Sequence, residues 1–296
     1  MTFSEMPRNA ATLAYLLGTV EIPVLQRTIE ELAHLRQDEE RIIPRDISRV
    51  LLRDPLFTLR VLIYLQSRRR PTQVTDITTV EHALMMLGVT PFFQHFASLP
   101  SVENVLAEYP LAQAGLMDVM SRAHCAALYA HDWAVLRHDI KAEEVAIAAL
   151  LHDLAEMLLW CFAPELALQI LNMLRADKTL RTRDAQQAVL GFKVLELQNA
   201  LMLEWKLAIM LQALMDDTHA THSRQMNVVL AVNLARHSAN GWNNPALPDD
   251  YAAIQKFLNL SEEDVLERIQ RVALQADNGR GWYHLDKTLV PPDGDA

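Results

Sequence analysis

The sequence predicts an all-α fold, and three features of its composition support that prediction. Of the 296 residues, 51% are hydrophobic, which is enough to form a large buried core. Only 8 residues are glycine, whereas the helix-favouring residues Ala, Leu, Glu, Gln, Met and Arg are abundant. β-Branched and aromatic residues never form the clear alternating runs that are typical of strands. We therefore expect helices almost everywhere, arranged in one or two domains.

Five helices are predicted in the N-terminal half from their start and stop signals. Asp54-Pro55 is one such signal, because aspartate caps a helix and proline suits its first turn. Thr78 to Glu81 has the spacing of a capping box, and Gly88 ends the helix that this box starts. The predicted helices lie over Leu25–Leu35, from Pro44 to the Asp54-Pro55 pair, over Leu56–Leu65, from Thr78 to Leu87, and from Thr90-Pro91 onward.

The C-terminal half is also predicted to be helical, apart from one long loop. That loop, rich in Asn, Gly and Pro, lies over residues 240–248, and the last residues, 291–296, are expected to be disordered. The helices are predicted over Leu116–Leu136, over Ala142–Cys161, from Pro164, from Asp184 to Gly191, over Leu195–Leu214, over Met226–Arg236 and from Ser261 through Val272.

Charge and cysteine usage exclude some classes of function. A formal net charge of −10 argues against a nucleic-acid partner, because phosphate contacts require a basic surface. The basic run at residues 68–70 is short and is expected to be a solvated loop between helices. Cys125 and Cys161 lie in apolar helical settings, which suits buried thiols in a reducing cytoplasm.

The most apolar window of the sequence, residues 145–162, does not have the pattern of a membrane span. It is interrupted by His152, Asp153 and Glu156, whereas a span needs about 18 or more apolar residues in succession. We expect a soluble, cytoplasmic protein with no membrane insertion.

His152 and Asp153 form the most informative pair in the sequence. They lie inside the apolar run 148–159, where two ionisable groups are costly to bury without a partner. The same dipeptide occurs at His131-Asp132 and His138-Asp139, but there in polar surroundings typical of helix ends. A metal ion or a hydrogen-bond network could satisfy the buried pair.

Taken together, several segments resemble the HDOD family, a group related to the HD phosphohydrolases. The resemblance extends over about residues 20–240. It is carried by Ile22–Leu25, Ile47–Leu62, Val80–Gly88, His124, Ala148–Asp153, Leu190–Phe192, Glu196 and Trp205. It implies a helical N-terminal lobe packed on an HD-like helical bundle.

The same resemblance implies a division of the chain. Residues 1–20 are expected to be an N-terminal extension, and residues 21–240 the HDOD domain. Within that domain the N-terminal lobe is expected over about 21–110 and the HD-like lobe over about 111–240. Residues 241–296 are expected to form a C-terminal helical segment and a disordered tail.

The resemblance also identifies a candidate metal site. Active HD phosphohydrolases use a His on one helix, a His-Asp pair on another and an Asp on a later helix. His124, His152 and Asp153 match the first three positions, and Asn233 stands where the later Asp is expected. Because Asn lacks a formal charge, the resemblance implies a vestigial or weak site. No cofactor is expected beyond a weakly bound divalent metal.

Two interpretations of these three residues stay open. They could hold a single metal as a three-ligand set with open positions, or they could form a buried hydrogen-bonded cluster that contributes to packing specificity. Lys193, if it points inward, would oppose metal binding. An acidic residue such as Asp216 or Asp217 would restore a full ligand set.

The resemblance implies a function in bacterial signal transduction. We expect a non-catalytic regulatory module that acts by contact with a signalling or regulatory protein, and a homodimer is allowed. Trp242 and Trp282-Tyr283 are candidate contact residues, although each could instead cover the core. The alternatives are a metal-dependent phosphohydrolase of nucleotides or cyclic dinucleotides, and a sensor that binds a nucleotide without turnover. In the sensor, Arg122 and Lys193 would be candidate phosphate ligands.

Overall fold

A computed structural model of the chain describes residues 7, 9–38, 41–68, 78–177, 179–216 and 222–283. Within these ranges the regular elements are helices, and the extended contact is an isolated parallel bridge between Val24 and Ser101. The predicted all-α fold is therefore confirmed.

Seven helices form the N-terminal part of the molecule. They are α1 (Ala10–Thr19), α2 (Gln26–Arg36), α3 (Pro44–Leu51), α4 (Pro55–Ser67), α5 (Val80–Leu87), α6 (Val89–His95) and α7 (Val102–Val105). The long helix α8 (Pro110–Leu136) follows, and then the HD-like part: α9 (Ala142–Leu150), α10 (Leu154–Phe162), α11 (Pro164–Ala176), α12 (Thr182–Leu190), α13 (Val194–Glu204), α14 (Ile209–Leu214) and α15 (Ser223–Ser238). The C-terminal segment contains α16 (Leu247–Leu258), α17 (Glu262–Gly279) and a short 3₁₀ turn at Arg280–Trp282.

Asp54 organises the N-terminal lobe. Its buried carboxylate caps α4 by accepting a hydrogen bond from the backbone N–H of Phe57 at 3.0 Å. The same carboxylate accepts the backbone N–H of Leu25 at 2.8 Å and the hydroxyl of Thr28 at 2.8 Å, both at the start of α2. One side chain thus joins the starts of two helices. The loop before it, Leu52-Arg53, lies beside α8, where the carbonyl oxygen of Leu52 is 3.3 Å from Nδ1 of His124.

Helix α8 is the central element of the HD-like lobe. It packs lengthwise against α9 and α15, and its buried Tyr129 and Trp133 are among the largest core side chains. Helix α1 lies in the predicted N-terminal extension, yet it packs against α13 of this lobe. The extension is therefore part of the packed body.

The prediction of one continuous helix over Ala142–Cys161 is wrong at its centre. Helix α9 ends at Leu150, α10 begins at Leu154, and the residues between them form a turn that carries His152 and Asp153. The amide side chain of Gln198, from α13, is inserted at this break.

Gln198 replaces a hydrogen bond that a continuous helix would make. Its Oε1 accepts the backbone N–H of Ala155 at 2.8 Å, and its Nε2 donates to the carbonyl of Leu151 at 3.2 Å. In an unbroken helix, the backbone N–H of Ala155 would donate directly to the carbonyl oxygen of Leu151, four residues before it. The inserted amide keeps both satisfied in a buried setting.

Other differences from the prediction have local causes. The expected helix Leu195–Leu214 is divided into α13 and α14, because Lys206 adopts a left-handed conformation with φ of 50°. Asp184 lies in the first turn of α12 and does not cap it, since the N-cap is Arg181. Helices α1, α7 and α16 were not predicted. Residues 69–70 and 291–296 lie outside the described ranges.

In the described part of the chain, one helical stretch is long and apolar enough to cross a membrane. This stretch, Ala142–Phe162, has a mean hydropathy of 1.7, but 83% of the window is buried inside the protein. It is the pair α9–α10, interrupted at the His-Asp turn. Its burial is consistent with the core of a soluble protein.

Gln198→Leu is expected to lower the free energy of unfolding by about 2 kcal/mol, because it leaves the buried N–H of Ala155 without an acceptor. Urea unfolding followed by circular dichroism measures this change. Asn199→Ala, on the exposed side of the same helix, is the matched control and should stay within about 0.5 kcal/mol of the parent protein. Equal effects of the two substitutions would contradict the role given to Gln198.

Candidate functional site

The candidate site is the turn between α9 and α10, where His152 and Asp153 are brought among side chains from other helices. Asp153 is about 10% exposed and lies at the N-terminus of α10. Its position there is favourable for a carboxylate, since the first turn of a helix carries a partial positive charge. The site is therefore a buried anion whose neighbours determine what it can bind.

Two arginines from different helices bind Asp153. The Arg122 guanidinium, on α8, donates from Nη2 to Oδ2 of Asp153 at 3.0 Å and from Nε to the same oxygen at 3.3 Å. The Arg236 guanidinium, on α15, donates from Nη2 to the other carboxylate oxygen, Oδ1, at 3.0 Å. Both oxygens of the carboxylate thus have charged donors, which make the stronger class of hydrogen bond.

His152 completes the hydrogen bonding of the carboxylate. Its Nδ1 lies 3.1 Å from Oδ1 of Asp153 and donates to it. Although burial raises the pKa of Asp153, the charges of Arg236 and Arg122 and the His152 hydrogen bond together hold that pKa well below its usual value. Asp153 is ionised in the folded protein across the physiological pH range.

Glu156, one turn along α10, shares Arg122 with Asp153. Its Oε2 accepts from Nη2 of Arg122 at 3.3 Å. Burial and the neighbouring charge of Asp153 raise the pKa of Glu156, in spite of the opposing charge of Arg122. We call Arg122, His152, Asp153, Glu156 and Arg236 the Asp153 cluster.

His124 does not belong to the Asp153 cluster. Its Nδ1 lies 3.3 Å from the carbonyl oxygen of Leu52, on the N-terminal lobe. On an α-helix, residues two apart are separated by about 200° around the axis. Because Arg122 is directed at Asp153, His124 two residues later is directed to the opposite side of α8. The expectation that His124 joins His152 and Asp153 is corrected for this reason.

Burial lowers the pKa of His124 to about 4, and the nearby charge of Arg53 acts in the same direction. The hydrogen bond to Leu52 opposes them only in part. The imidazole is therefore neutral at pH 7. Its Nδ1 carries the hydrogen, because a carbonyl oxygen can only accept.

The other predicted site residues also differ from a metal-ligand set. Asn233 is half-buried on α15, and the side chain of that helix that reaches Asp153 is Arg236, about one turn further on. Lys193 is exposed and precedes α13. Of the acidic residues that would complete a site, Asp217 lies outside the described residues. Across the described ranges, no group of three or more His, Cys, Asp and Glu side chains is placed to hold a metal ion.

The residues present do not fit a divalent metal. The two helices expected to supply a His and an Asp ligand, α8 and α15, supply guanidinium groups in their place. A cation at Asp153 would have to displace both arginines and would then be repelled by them. The positive charge that a metal provides is instead provided by the protein itself.

Sequence reasoning identified His152 and Asp153 but not their arginine partners as a pair. The resemblance gives Arg122 only as a candidate phosphate ligand, and the sequence pattern gives Arg236 only as the end of a helix. The available signal was an arginine inside a mostly apolar helix, since a charged residue at such a position needs a partner. The role of Gln198 has no such signal, because its partners are backbone groups more than 40 residues away in the sequence.

The helical body and its turn bearing a His-Asp pair define an HD-related domain. The family model described as the HDOD domain matches residues 22–221, and this chain belongs to that family, an HD-related family associated with signal transduction. The predicted family is thereby confirmed. No curated protein matches the chain.

Solved structures share the fold at low sequence identity. The MmoQ response regulator from Methylococcus capsulatus is 20% identical, with a TM-score of 0.60 over 84% of this chain and 97% of that one. A virulence factor from Campylobacter jejuni is 16% identical, with a TM-score of 0.64 over 86% and 91% of the two chains. An HDOD domain protein of unknown function from Geobacter sulfurreducens is 16% identical, with a TM-score of 0.50 over 94% and 99%.

Asp153→Ala is expected to lower the free energy of unfolding by about 3 kcal/mol, because it leaves the buried guanidinium of Arg122 without its main anion. Urea unfolding at pH 7 measures the loss. Asp184→Ala is the control, since Asp184 is exposed and its ion pair is with the exposed Arg183, and it should change stability by less than about 0.5 kcal/mol. A stable Asp153→Ala protein would show that the carboxylate is not needed to compensate the arginines.

His124 is expected to make the protein less stable in acid. With the folded pKa at about 4 and the ordinary value at 6.5, the unfolded chain binds a proton between these values that the folded protein does not. Stability therefore falls as the pH is lowered from 6.5 to 4, by about 3 kcal/mol in total.

The measurement is urea unfolding at a series of pH values for the parent protein and for His124→Gln. The variant is expected to lose most of this acid-dependent decrease. His131→Gln, an exposed substitution on the same helix, should leave the pH dependence as it is. If the stability of the parent protein and of His124→Gln changed with pH in the same way, His124 would not be the cause of the acid-dependent decrease.

Proposed function

We propose that the chain is a non-catalytic regulatory module of signal transduction that transmits information by contact with another protein. The observation that carries the proposal is the Asp153 cluster. Both carboxylate oxygens of Asp153, the acidic member of the His-Asp pair that the HD pattern uses for metal, are bound by Arg122 and Arg236. A side chain saturated in this way is a structural anion, not a metal ligand.

The position of the cluster supports a structural role for it. Arg122 comes from α8, Asp153 and Glu156 from the turn and α10, and Arg236 from α15. The ion pairs thus join three helices of the HD-like lobe at one point. Arginine suits this role because its guanidinium is always charged and forms several hydrogen bonds with fixed geometry.

Membership of the HDOD family supports the signalling part of the proposal. A domain that performs no chemistry passes information through changes in what it binds, which points to a protein partner. The net charge of −10 favours a partner other than nucleic acid. Trp242 is half exposed, so it stays a candidate contact residue, whereas Trp282 and Tyr283 are buried against the protein itself.

The proposal is tested by metal content and by phosphodiester hydrolysis. Protein purified without chelator and without a nickel-affinity tag is expected to contain iron, manganese and zinc far below one atom per chain. With added Mn²⁺, its hydrolysis of bis(p-nitrophenyl) phosphate should equal that of Asp153→Asn, the matched variant. One equivalent of metal that is lost in Asp153→Asn, or hydrolysis that the substitution abolishes, would support the phosphohydrolase alternative and overturn the proposal.

A further inference from the structure

The C-terminal residues Gly281, Trp282 and Tyr283 contact the N-terminal lobe as a short peptide ligand would. The Arg27 guanidinium, on α2, donates to the backbone carbonyl of Gly281. The Tyr283 hydroxyl donates to the backbone carbonyl of Arg53 at 2.6 Å. The segment is therefore recognised through both its main chain and its side chains.

Trp282 provides the apolar part of this contact. Its ring is about 8% exposed, and the guanidinium carbons of Arg27 and Arg53 lie over it at 5.7 and 5.1 Å from the ring centroid. Arginine over an indole face is the most favourable form of cation–π contact, and it adds to the burial of the ring. We call Arg27, Leu52, Arg53 and His124 the latch site, and Gly281–Tyr283 the latch.

His124 connects the latch site to the centre of the molecule. Its ring lies 6.0 Å from the ring of Tyr283, and its Nδ1 bonds to Leu52, the residue before Arg53. The backbone at Gly279 passes beside it, since a side-chain carbon added there would lie 3.7 Å from Nε2 of His124. The latch therefore lies where α8, the N-terminal lobe and the end of α17 meet.

Helix α17 delivers the latch to its site. Asp132, on α8, accepts hydrogen bonds from Arg268 at 2.7 Å and from Arg271 at 2.9 Å, so two arginines of α17 fix this helix along α8. Because the helix is fixed, its last residues stay close to the latch site at a high effective concentration. For a short tether this concentration is on the order of millimolar.

Two features favour opening of the latch. The buried indole N–H of Trp282 has no hydrogen-bond partner among the described residues, and in water it would gain one, which makes the closed state less favourable. Gly281 has no atom within 4 Å of where a side chain would begin, so packing does not require glycine there. Because glycine has the widest backbone freedom, Gly281 gains more conformational entropy on release of the segment than another residue would.

We propose that the N-terminal lobe and the adjoining face of α8 form a binding site for a short aromatic peptide, and that the chain's own Gly281–Tyr283 segment occupies this site as a releasable latch. Closing the latch joins α17 to the N-terminal lobe. Opening it uncovers two arginines and a neutral histidine at the junction of the lobes. The proposal does not depend on whether the Asp153 cluster is catalytic, because the two lie on opposite sides of α8.

A binding experiment in trans tests the site. The probe is a fluorescein-labelled, C-terminally amidated peptide with the sequence of residues 278–283. It is expected to bind the full-length double variant Trp282→Ala/Tyr283→Ala with a dissociation constant below about 1 mM, since a weaker site would not stay closed at the effective concentration of the tether. Binding to the parent protein should be at least about ten-fold weaker, because its site is already occupied.

Three controls decide the outcome. A peptide with alanine in place of the tryptophan should not bind, and Arg53→Ala in the double-variant background should weaken binding. Trp242→Ala, a substitution of an exposed tryptophan outside the latch, should bind the peptide as weakly as the parent protein does. No binding to a folded double variant, or equal binding to the double variant and the parent protein, would overturn the proposal.

Hydrogen exchange of full-length proteins provides an independent measurement. Amides of residues 279–283 are expected to exchange faster in Trp282→Ala than in the parent protein, with Trp242→Ala unchanged. Compared with the parent protein, Gly281→Ala should exchange the amides of residues 279–283 about two- to five-fold more slowly, because alanine restricts the open chain more than the closed one. Rapid exchange of these amides in the parent protein would show that no latch closes.

Discussion

The structure depends on the compensation of one buried negative charge. Asp153 is placed at a helix start inside an apolar lobe, and taking a carboxylate from water into such a setting costs several kcal/mol unless cations reach it. In this chain the guanidinium groups of Arg122 and Arg236 supply those cations. The same ion pairs fix the relative positions of α8, α10 and α15. A substitution that removes the charge of Asp153 therefore also removes contacts that hold these three helices together.

Helix α8 separates two regions of different chemistry. One side presents Arg122 to a charged cluster, and the other presents the neutral His124 to the N-terminal lobe and the latch. Because this difference arises from a spacing of two residues on a helix, a shift or rotation of α8 would alter both regions together. Under the proposed function, this coupling through α8 is how the HD-like bundle would communicate a change at one region to the other.

The fold could be predicted largely from local signals. Gly88 and Gly191 lie at helix ends in the structure, and Asp54 caps α4 as its position before Pro55 predicts. The cap of α5 lies one residue later than the capping-box spacing predicts, since Thr79 accepts the backbone N–H of His82 and Thr78 bonds to Glu144. The break at His152 and Asp153 could not be predicted, because the residues around it favour helix. It depends on Gln198, which is distant in the sequence and joins the turn only after α13 has packed.

The site was predicted in part, for a related reason. The apolar surroundings of His152 and Asp153 correctly marked a pair that needs partners. The identity of those partners depends on the rotation of two other helices about their axes, and a shift of two residues exchanges Arg122 for His124 on the face that meets Asp153. A family pattern does not fix the rotation of a helix to that accuracy, so the ligand set that the resemblance implies differs from the set that the chain assembles.

The apolar character of α9–α10 has a consequence for how the protein is made. On the ribosome this segment emerges with the hydropathy of a membrane-spanning helix, and nothing in its own sequence shields it. Helix α8, against which it packs most extensively, precedes it in the chain and is synthesised first. The most aggregation-prone part of the nascent chain thus meets its packing partner as soon as it appears, whereas a circular permutation that placed α8 last would leave it exposed until synthesis ends.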